Sequence, residues 1–164
     1  MPRADAARLH DNQVVLGCFE VKGGVYALDV AHLREVVRWQ PVTPLPRAPS
    51  LIDGVVDLRG KVIPVIDLGR VLHGEPITPD SRTRIAVVEV DALVVGLVVD
   101  AAIDVMAVDV SALDDPPALA TQAGYDATRA VVRRAGAAPI LVLSLEHVLE
   151  SVYRSALDRG EDAV

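Results

Sequence analysis

The sequence is poor in the residues on which enzymes and metalloproteins usually depend. It contains one cysteine, Cys18, which excludes an internal disulfide. No two of its four histidines, His10, His32, His73 and His147, have the spacing of metal ligands. No serine-nucleophile, phosphate-binding or dinucleotide-binding motif is present. The sequence therefore predicts a protein without catalytic residues, metal or cofactor.

Aromatic residues and positive charge are also scarce. Aromatic residues make up 3% of the chain, and the formal net charge is −7. Proteins that bind single-stranded nucleic acid need aromatic platforms and a basic groove. The nearest approach to a basic cluster is Arg129, Arg133 and Arg134, which a solvated strand face explains. We expect no nucleic-acid partner.

Long hydrophobic runs are absent as well. No apolar stretch approaches the roughly 18 residues that a membrane-spanning helix needs. Residues 1–12 are polar and lack the apolar segment of a secretory signal. We expect a cytoplasmic protein whose membrane association is indirect.

What the chain does contain is aliphatic mass in short runs. Hydrophobic residues make up 51% of the sequence, and most are Val, Leu, Ile and Ala. Short valine-rich runs favour strands. The clearest unit is a hairpin of Gly54–Leu58 and Lys61–Asp67, joined by Arg59-Gly60, since a two-residue turn ending in glycine suits a hairpin. The sequence predicts a mainly β fold.

Three residues of this hairpin have predicted roles. Pro64 cannot donate a ladder hydrogen bond, so its strand should be an edge strand or be bulged there. Asp67 should cap a short helix, Leu68–Leu72. Arg59 lies at the tip, where a lone guanidinium is too costly to bury and is better explained by an interface.

The rest of the chain reads as further short strands. Residues 1–12 and 156–164 are predicted tails around one domain, 13–155, whose two halves meet near 73–81. Ala31–Val37 fits a helical turn or the start of a strand, and Asp109–Tyr125 reads as a loop. The other predicted elements are the strands Val14–Val21, Val25–Val30, Arg82–Val90, Leu93–Val99, Ile103–Val108, Asp126–Arg134 and Pro139–Leu143, and the helix Leu145–Leu157.

The two halves form a weak internal repeat. The segment from Leu28 to Val37 aligns with that from Leu97 to Met106. The segment from Val65 to Leu72 aligns with that from Val142 to Leu149, which places Asp67 opposite Ser144 at the end of a strand. The repeat predicts two similar small β-units packed together.

One enzymatic alternative stays open. Asp53, Asp57 and Asp67 are close in sequence and could form an acid–base pair. A structural explanation competes with it, in which Asp67 caps a helix, Asp53 belongs to a turn and Asp57 faces outward.

The central hairpin resembles a known family, the CheW-type coupling proteins of bacterial chemotaxis. Its pattern, G-x-x-N-L-R-G-x-x-x-P-[VI]-x-D-L, is matched by Gly54, Leu58-Arg59-Gly60, Pro64-Val65 and Asp67-Leu68. The resemblance extends over about residues 13 to 153. Further matching segments are Phe19–Val21, Tyr26–Leu28, Leu33–Val36, Val95–Asp100 and Ile140–Leu149. The sequence departs from the family at Asp57, where Asn is usual, at Gly69, where Arg is common, and at Ala101, where Gly is frequent.

The resemblance implies a fold and a role. The fold would be two five-stranded SH3-like β-barrels on a shared apolar core, with short helices. The role would be that of a non-enzymatic adaptor linking the cytoplasmic tip of a chemoreceptor to a CheA-type histidine kinase. A related scaffold for another CheA-like pathway, such as gliding, pilus or developmental signalling, is the alternative.

The resemblance also implies two binding surfaces. We call the first the receptor-side set: Leu33, Glu35, Arg59, Val62, Gly96, Ala102 and Val105. The second, the kinase-side set, lies around residues 42–53 and the turn near residue 91, and consists of Val42, Asp53 and Asp91. Val62 and Val105 could instead be core residues, and Gly96 could serve only close strand packing.

Overall fold

The computed structural model describes residues 12–117 and 127–152, which form a mainly β structure, as the sequence predicts. The strands are β1 (Gln13–Val21), β2 (Gly24–Asp29), β3 (Leu33–Arg38), β4 (Ile52–Leu58), β5 (Lys61–Asp67), β6 (Arg84–Val90), β7 (Leu93–Val99), β8 (Ala101–Asp109), β9 (Leu113–Asp114), β10 (Thr128–Val132) and β11 (Ile140–Leu143). The helices are α1 (Leu68–His73) and α2 (145–152), and 3-10 turns lie at Val30–His32 and Val110–Ala112. Three predicted features lie wholly or partly outside the described residues. They are the two tails, except for residue 12, the part of the predicted C-terminal helix after residue 152, and residues 118–126 of the predicted loop.

The strands form two mixed sheets. Sheet A has the order β8-β1-β2-β11-β10-β9, and sheet B has the order β3-β6-β7-β5-β4. Sheet A thus has six strands where five are predicted. The additional strand, β9, lies in the segment predicted as a loop and pairs Leu113 with Val132 and Asp114 with Val131. Two residues are too few for an alternating pattern to reveal a strand in the sequence.

Each half of the chain gives one hairpin to the sheet of the other half. The β1–β2 hairpin joins β8 to β11 in sheet A, and the β6–β7 hairpin joins β3 to β5 in sheet B. The chain changes sheet at Val30–His32 and again around Asp100. Residues 73–81 separate the two halves but connect α1 to β6 within sheet B. The boundary between the two halves near 73–81 stays a prediction, and the chain changes sheet elsewhere.

The strand register agrees with the internal repeat. Val65 on β5 pairs in parallel with Gly96 on β7, and Val142 on β11 pairs in parallel with Ala27 on β2. The sequence alignment makes Val65 equivalent to Val142, and makes Gly96 equivalent to Ala27. Equivalent segments of the two halves thus form the parallel strand pair of each sheet, and the two pairs have the same register.

The buried apolar residues of the described chain form two clusters, of which the larger is shared by both sheets. The larger cluster spans both sheets and α2, and it receives Phe19 and Val21 from β1. The smaller cluster lies within sheet A and receives Leu16 and Cys18 from the same strand. Because successive side chains of a strand point to opposite faces, β1 is buried on both faces.

Pro64 does not lie in an edge strand, so the first of the two predicted alternatives is wrong. In sheet B, β5 lies between β7 and β4. Val55, opposite Pro64, exchanges its backbone hydrogen bonds with Thr43 instead, at 2.8 and 2.9 Å. The parallel ladder with β7 begins one residue after Pro64, at Val65. The proline therefore occupies an interior position at which no ladder bond is required of it. The register shift of this hairpin lies near Pro64 but on the partner strand β4, between Ile52 and Gly54.

Candidate protein-binding surfaces

Arg59 and Glu35 of the receptor-side set form an exposed ion pair. Arg59 and Gly60 both have positive φ angles, 54° and 85°, so the tight turn projects the arginine from the hairpin tip. One guanidinium nitrogen of Arg59 donates to both carboxylate oxygens of Glu35, at 2.8 and 2.5 Å. The Arg59 side chain is 74% exposed and that of Glu35 is 33% exposed. The hydrogen bond and the negative charge of Glu35 raise the pKa of Arg59 above its ordinary value.

The ion pair borders a cavity of about 320 Å³, which we call the ion-pair groove. Its walls come from β3, the β4–β5 hairpin, β6 and β7. The lining residues are Arg34, Glu35, Leu58, Arg59, Lys61, Ile63, Val87 and Val94. An apolar floor with a charged rim is the composition of many protein interfaces.

A second depression, of about 210 Å³, contains three other members of the receptor-side set. Leu33 on β3 forms one side, and Ala102 and Val105 on β8 form the other. β3 and β8 are edge strands of different sheets, and β1 forms the floor between them. We call this depression the inter-sheet groove. Val105 is 59% exposed, so it is a surface residue rather than a core residue.

Two members of the set line neither groove. Val62 on β5 is 63% exposed, which also excludes a core role. Gly96 is buried in β7, where an added Cβ would lie 2.7 Å from Cγ2 of Ile85. Its absent side chain therefore serves close strand packing. Ile63, which lines the ion-pair groove, has its Cδ1 3.6 Å from that Cβ position.

The kinase-side set divides between two places. Val42 packs beside Gly54, next to Asp53, whose carboxylate accepts a hydrogen bond from Arg70 at 2.6 Å. Asp91 is exposed at the tip of the β6–β7 hairpin, with a φ of 50°. The structure thus brings Val42 and Asp53 together and places Asp91 on a different hairpin.

The three carboxylates of the enzymatic alternative have structural roles. Asp53 pairs with Arg70, and Asp57 accepts the backbone N–H of Gly60 at 2.7 Å inside the turn. Asp67 is buried and caps α1, as predicted, with its Oδ1 accepting from the backbone of Gly69 at 2.8 Å. Burial raises the pKa of Asp67, and the nearby negative charge of Asp53 raises it further.

Cys18 has the environment of a buried hydrophobic residue. It is 4% exposed on β1. Burial raises the pKa of its thiol, and the negative charge of Asp104 adds to the rise. Because the thiolate is the reactive form, the thiol is poorly suited to nucleophilic attack near neutral pH.

Sequence reasoning missed two exposed apolar residues of the inter-sheet groove. Ile103 is 51% exposed, and Val36 is 38% exposed. The spacing of Ile103 and Val105 places both side chains on one face of β8. A buried strand has the same alternating pattern, so the sequence does not show that this face is exposed unless β8 is known to be an edge strand. Residue exposure, not residue type, identifies them.

The chain is similar to a family of known proteins over most of its length. Residues 16–153 match the model of the CheW-like domain. The chemotaxis protein CheW of Rhizobium meliloti (strain 1021) is 33% identical over 84% of this chain and 88% of its own. FrzA of Myxococcus xanthus is 32% identical over 96% of this chain and 98% of its own.

A solved structure is similar in fold. The crystal structure of the scaffolding protein TtCheW from Thermoanaerobacter tengcongensis aligns with a TM-score of 0.74 and 28% identity, covering 84% of this chain and 92% of that one. Among the described residues, no helix is long and apolar enough to cross a membrane.

Proposed function

Because this chain belongs to the family of CheW-like domain proteins, we propose that it is a non-enzymatic adaptor that links the cytoplasmic tip of a chemoreceptor to a CheA-type histidine kinase. In this proposal it works in the cytoplasm, recruited to receptor arrays. The family similarity supports a role in chemotaxis signalling, and the two partners are our inference from it.

The observation that carries the proposal is the ion pair of Arg59 and Glu35. An exposed ion pair contributes little to folding, because solvent screens it and both side chains lose rotamer freedom. Here the pair lies beside an apolar-floored groove, where it fixes a guanidinium in one orientation. Arginine held in this way is a common hot spot of protein interfaces. The pair therefore suits recognition of a receptor segment better than stabilisation of the fold.

The inter-sheet groove extends the proposed receptor surface. Ile103 and Val105 expose apolar area on an edge strand. Contact of this area with water is unfavourable, and a bound partner would cover it. A receptor segment that buries them would gain hydrophobic contact from this groove and orientation from the Arg59–Glu35 pair.

The first experiment compares Arg59→Ala and Glu35→Ala in receptor-dependent kinase activation. We expect each substitution to reduce activation about tenfold or more, as loss of an interface hot spot does. The melting curves of both variants should overlay that of the wild type. Binding measurements with a receptor fragment and with the kinase separately show which partner the pair contacts.

The matched control is Arg82→Ala. Arg82 also forms an exposed ion pair, with Glu20 at 2.6 Å, but it lines none of the receptor-side grooves. It should leave activation within about twofold of the wild type, the scale of a surface pair. The proposal is wrong if Arg59→Ala behaves as Arg82→Ala does, or if it unfolds the domain and activation falls only in proportion.

The alternative is a scaffold for another CheA-like pathway. The specific observation in its favour is that FrzA, a relative without CheW in its name, matches 96% of this chain. Failure of the wild-type protein to connect any chemoreceptor to the kinase, with kinase binding intact, would favour this alternative. The identity of the neighbouring genes would indicate which pathway is served.

A further inference from the structure

A notch of about 380 Å³ lies between the β6–β7 hairpin and α2, away from both receptor-side grooves. Val90, Leu93 and Leu149 form its apolar part, and Asp91, Glu146 and Glu150 lie around it. The volume is near the lower end of the roughly 300–1,000 Å³ of ligand pockets. A space of this size suits one or two side chains of a partner. We call it the acidic notch.

The internal repeat shows what fills the same place in the other half. The pairing register makes Tyr26 equivalent to Val95, and the alignment of the helices makes His73 equivalent to Glu150. In the first half, the Tyr26 ring packs over Gly24 and its hydroxyl contacts Nε2 of His73 at 2.8 Å. An aromatic ring of the chain itself thus occupies that position. In the second half, valine and glutamate replace the pair, and Leu93, which lines the notch, replaces Gly24.

The charge at two equivalent positions is also more negative in the second half. Lys22 at the tip of the β1–β2 hairpin is replaced by Asp91, and Gly69 on α1 is replaced by Glu146 on α2. Both acidic residues are exposed. A carboxylate rim attracts a cationic partner and repels an anionic one. Since the chain carries a net charge of −7, a second copy is a poor occupant.

We propose that the acidic notch binds a partner-protein segment that presents an aromatic or large aliphatic side chain next to lysine or arginine. The apolar side chain would pack against Val90, Leu93 and Leu149. The basic residues would pair with Asp91 and Glu146. Asp91 belongs to the kinase-side set, so the inference gives that surface a chemistry, but it holds whichever protein supplies the segment.

The test is a titration followed by amide chemical shifts of the full chain. The probe is a nine-residue peptide with a central phenylalanine flanked by lysines. Its two matched controls replace the phenylalanine with alanine or the lysines with glutamates. We expect the first peptide to shift the amides of residues 90–93 and 146–150. The shifts should weaken with added salt, because exposed charge pairs are screened.

The protein variant is the double substitution Asp91→Lys with Glu146→Lys. Lysine is compatible with the left-handed backbone at residue 91, because Lys22 has the same φ of 50° at the equivalent tip. The variant should reduce the peptide-induced shifts about threefold or more at a fixed peptide concentration. Glu75→Lys, an exposed charge reversal outside the notch, should leave them unchanged.

Four results of the peptide titrations would overturn the inference. They are the absence of shifts with the lysine peptide, equal shifts with the glutamate peptide, shifts confined to other surfaces, and retention of binding by the double variant. Concentration-dependent shifts of residues 90–93 without peptide would also overturn it, because they would identify a second copy as the occupant. None of these results depends on whether the protein couples a receptor to a kinase.

Discussion

At the scale of single residues, the Asp67 carboxylate accepts hydrogen bonds from three backbone amides. Its Oδ1 accepts the amides of Gly69 and Arg70 at the start of α1, at 2.8 and 3.3 Å. Its Oδ2 accepts the amide of Ile77 at 2.9 Å, which ties the segment after α1 to the start of the same helix. The sequence predicted the cap but not the third bond, because Ile77 is ten residues away and no local pattern links the two.

This arrangement explains why Gly69 differs from the family pattern. A Cβ at Gly69 would lie 2.5 Å from the carbonyl oxygen of Glu75 and 2.9 Å from Cγ1 of Ile77. The segment that Asp67 holds therefore occupies the space that an arginine stem would need. The departure is a packing requirement of this chain.

Asp67→Ala should lower the free energy of unfolding by about 2 kcal/mol or more, because three backbone donors lose their acceptor. A lost N-cap alone would cost about 1 kcal/mol. Denaturant unfolding of the two proteins measures the difference. An unchanged midpoint would mean that water or the backbone replaces the carboxylate.

The cost of Asp67→Ala should depend on pH. Burial raises the pKa of Asp67 above its ordinary 3.8, so the folded state holds this proton more tightly than the unfolded state does. The stabilising contribution of Asp67 is then full below pH 3.8 and falls as pH rises through the raised pKa. A cost that grows with pH over this range would show that the backbone hydrogen bonds outweigh burial.

At the scale of elements, the packing of β6 beside β7 depends on a glycine. Gly96 pairs with Val65, and the fully buried Ile85 on β6 occupies the space above it. The methyl group of Ile85 nearest to Gly96 is a branch at Cβ, which cannot rotate away easily. The two antiparallel neighbours β6 and β7 therefore fit together only with glycine at this position.

Gly96→Ala should destabilise the protein by roughly 1–3 kcal/mol, the usual cost of overpacking a core. Urea unfolding is the measurement. Gly17→Ala is the matched control, since its added Cβ would meet Cδ2 of Leu33 at 3.3 Å, the end of a flexible side chain. The control should lose less than about 1 kcal/mol. Equal stability of the two variants would contradict the packing role. A loss of receptor binding by Gly96→Ala beyond its loss of stability would restore Gly96 as a contact residue.

The sequence predicted the elements better than it predicted their neighbours. The Arg59-Gly60 turn and the register of the repeat follow from local spacing, so they could be read from the chain. The pairing of Arg59 with Glu35 joins a turn residue to a strand residue 24 positions away, and the sequence treated them as two independent contacts. The interior place of Pro64 depends on Thr43, a residue outside the hairpin. Such contacts depend on the folded structure and produce no periodic pattern in the sequence.

At the scale of the whole molecule, the exchanged hairpins make the two sheets one unit. Removing either hairpin would take two adjacent strands from the sheet of the other half. The larger apolar cluster also draws residues from both sheets. We therefore expect the protein to unfold in one cooperative transition.

Val142→Ala tests this cooperativity. Val142 is fully buried in the smaller cluster of sheet A. Its truncation should cost roughly 2 kcal/mol, from lost transfer free energy at about 0.8 kcal/mol per buried carbon plus a cavity. Trp39, the single tryptophan, follows β3 of sheet B. Its fluorescence midpoint in urea should shift by the same amount as the midpoint from far-UV circular dichroism.

Val105→Ala is the control on the same sheet, because Val105 is largely exposed and should change stability by less than about 0.5 kcal/mol. A Trp39 midpoint that stays at the wild-type value in Val142→Ala, with a biphasic dichroism curve, would show that the sheets unfold separately.

The exchange of hairpins has a consequence for synthesis of the chain on the ribosome. The β1–β2 hairpin is made first, yet the strands that flank it in sheet A, β8 and β11, end at residues 109 and 143. At roughly 5–20 residues per second, several seconds pass before both are available. During that time the hairpin, which is buried on both faces in the finished protein, has apolar side chains exposed on both sides. All strands of sheet B are made by residue 99, whereas sheet A is incomplete until residue 143. We therefore expect the vulnerability to aggregation and the need for chaperones to be greatest while the second half is being translated.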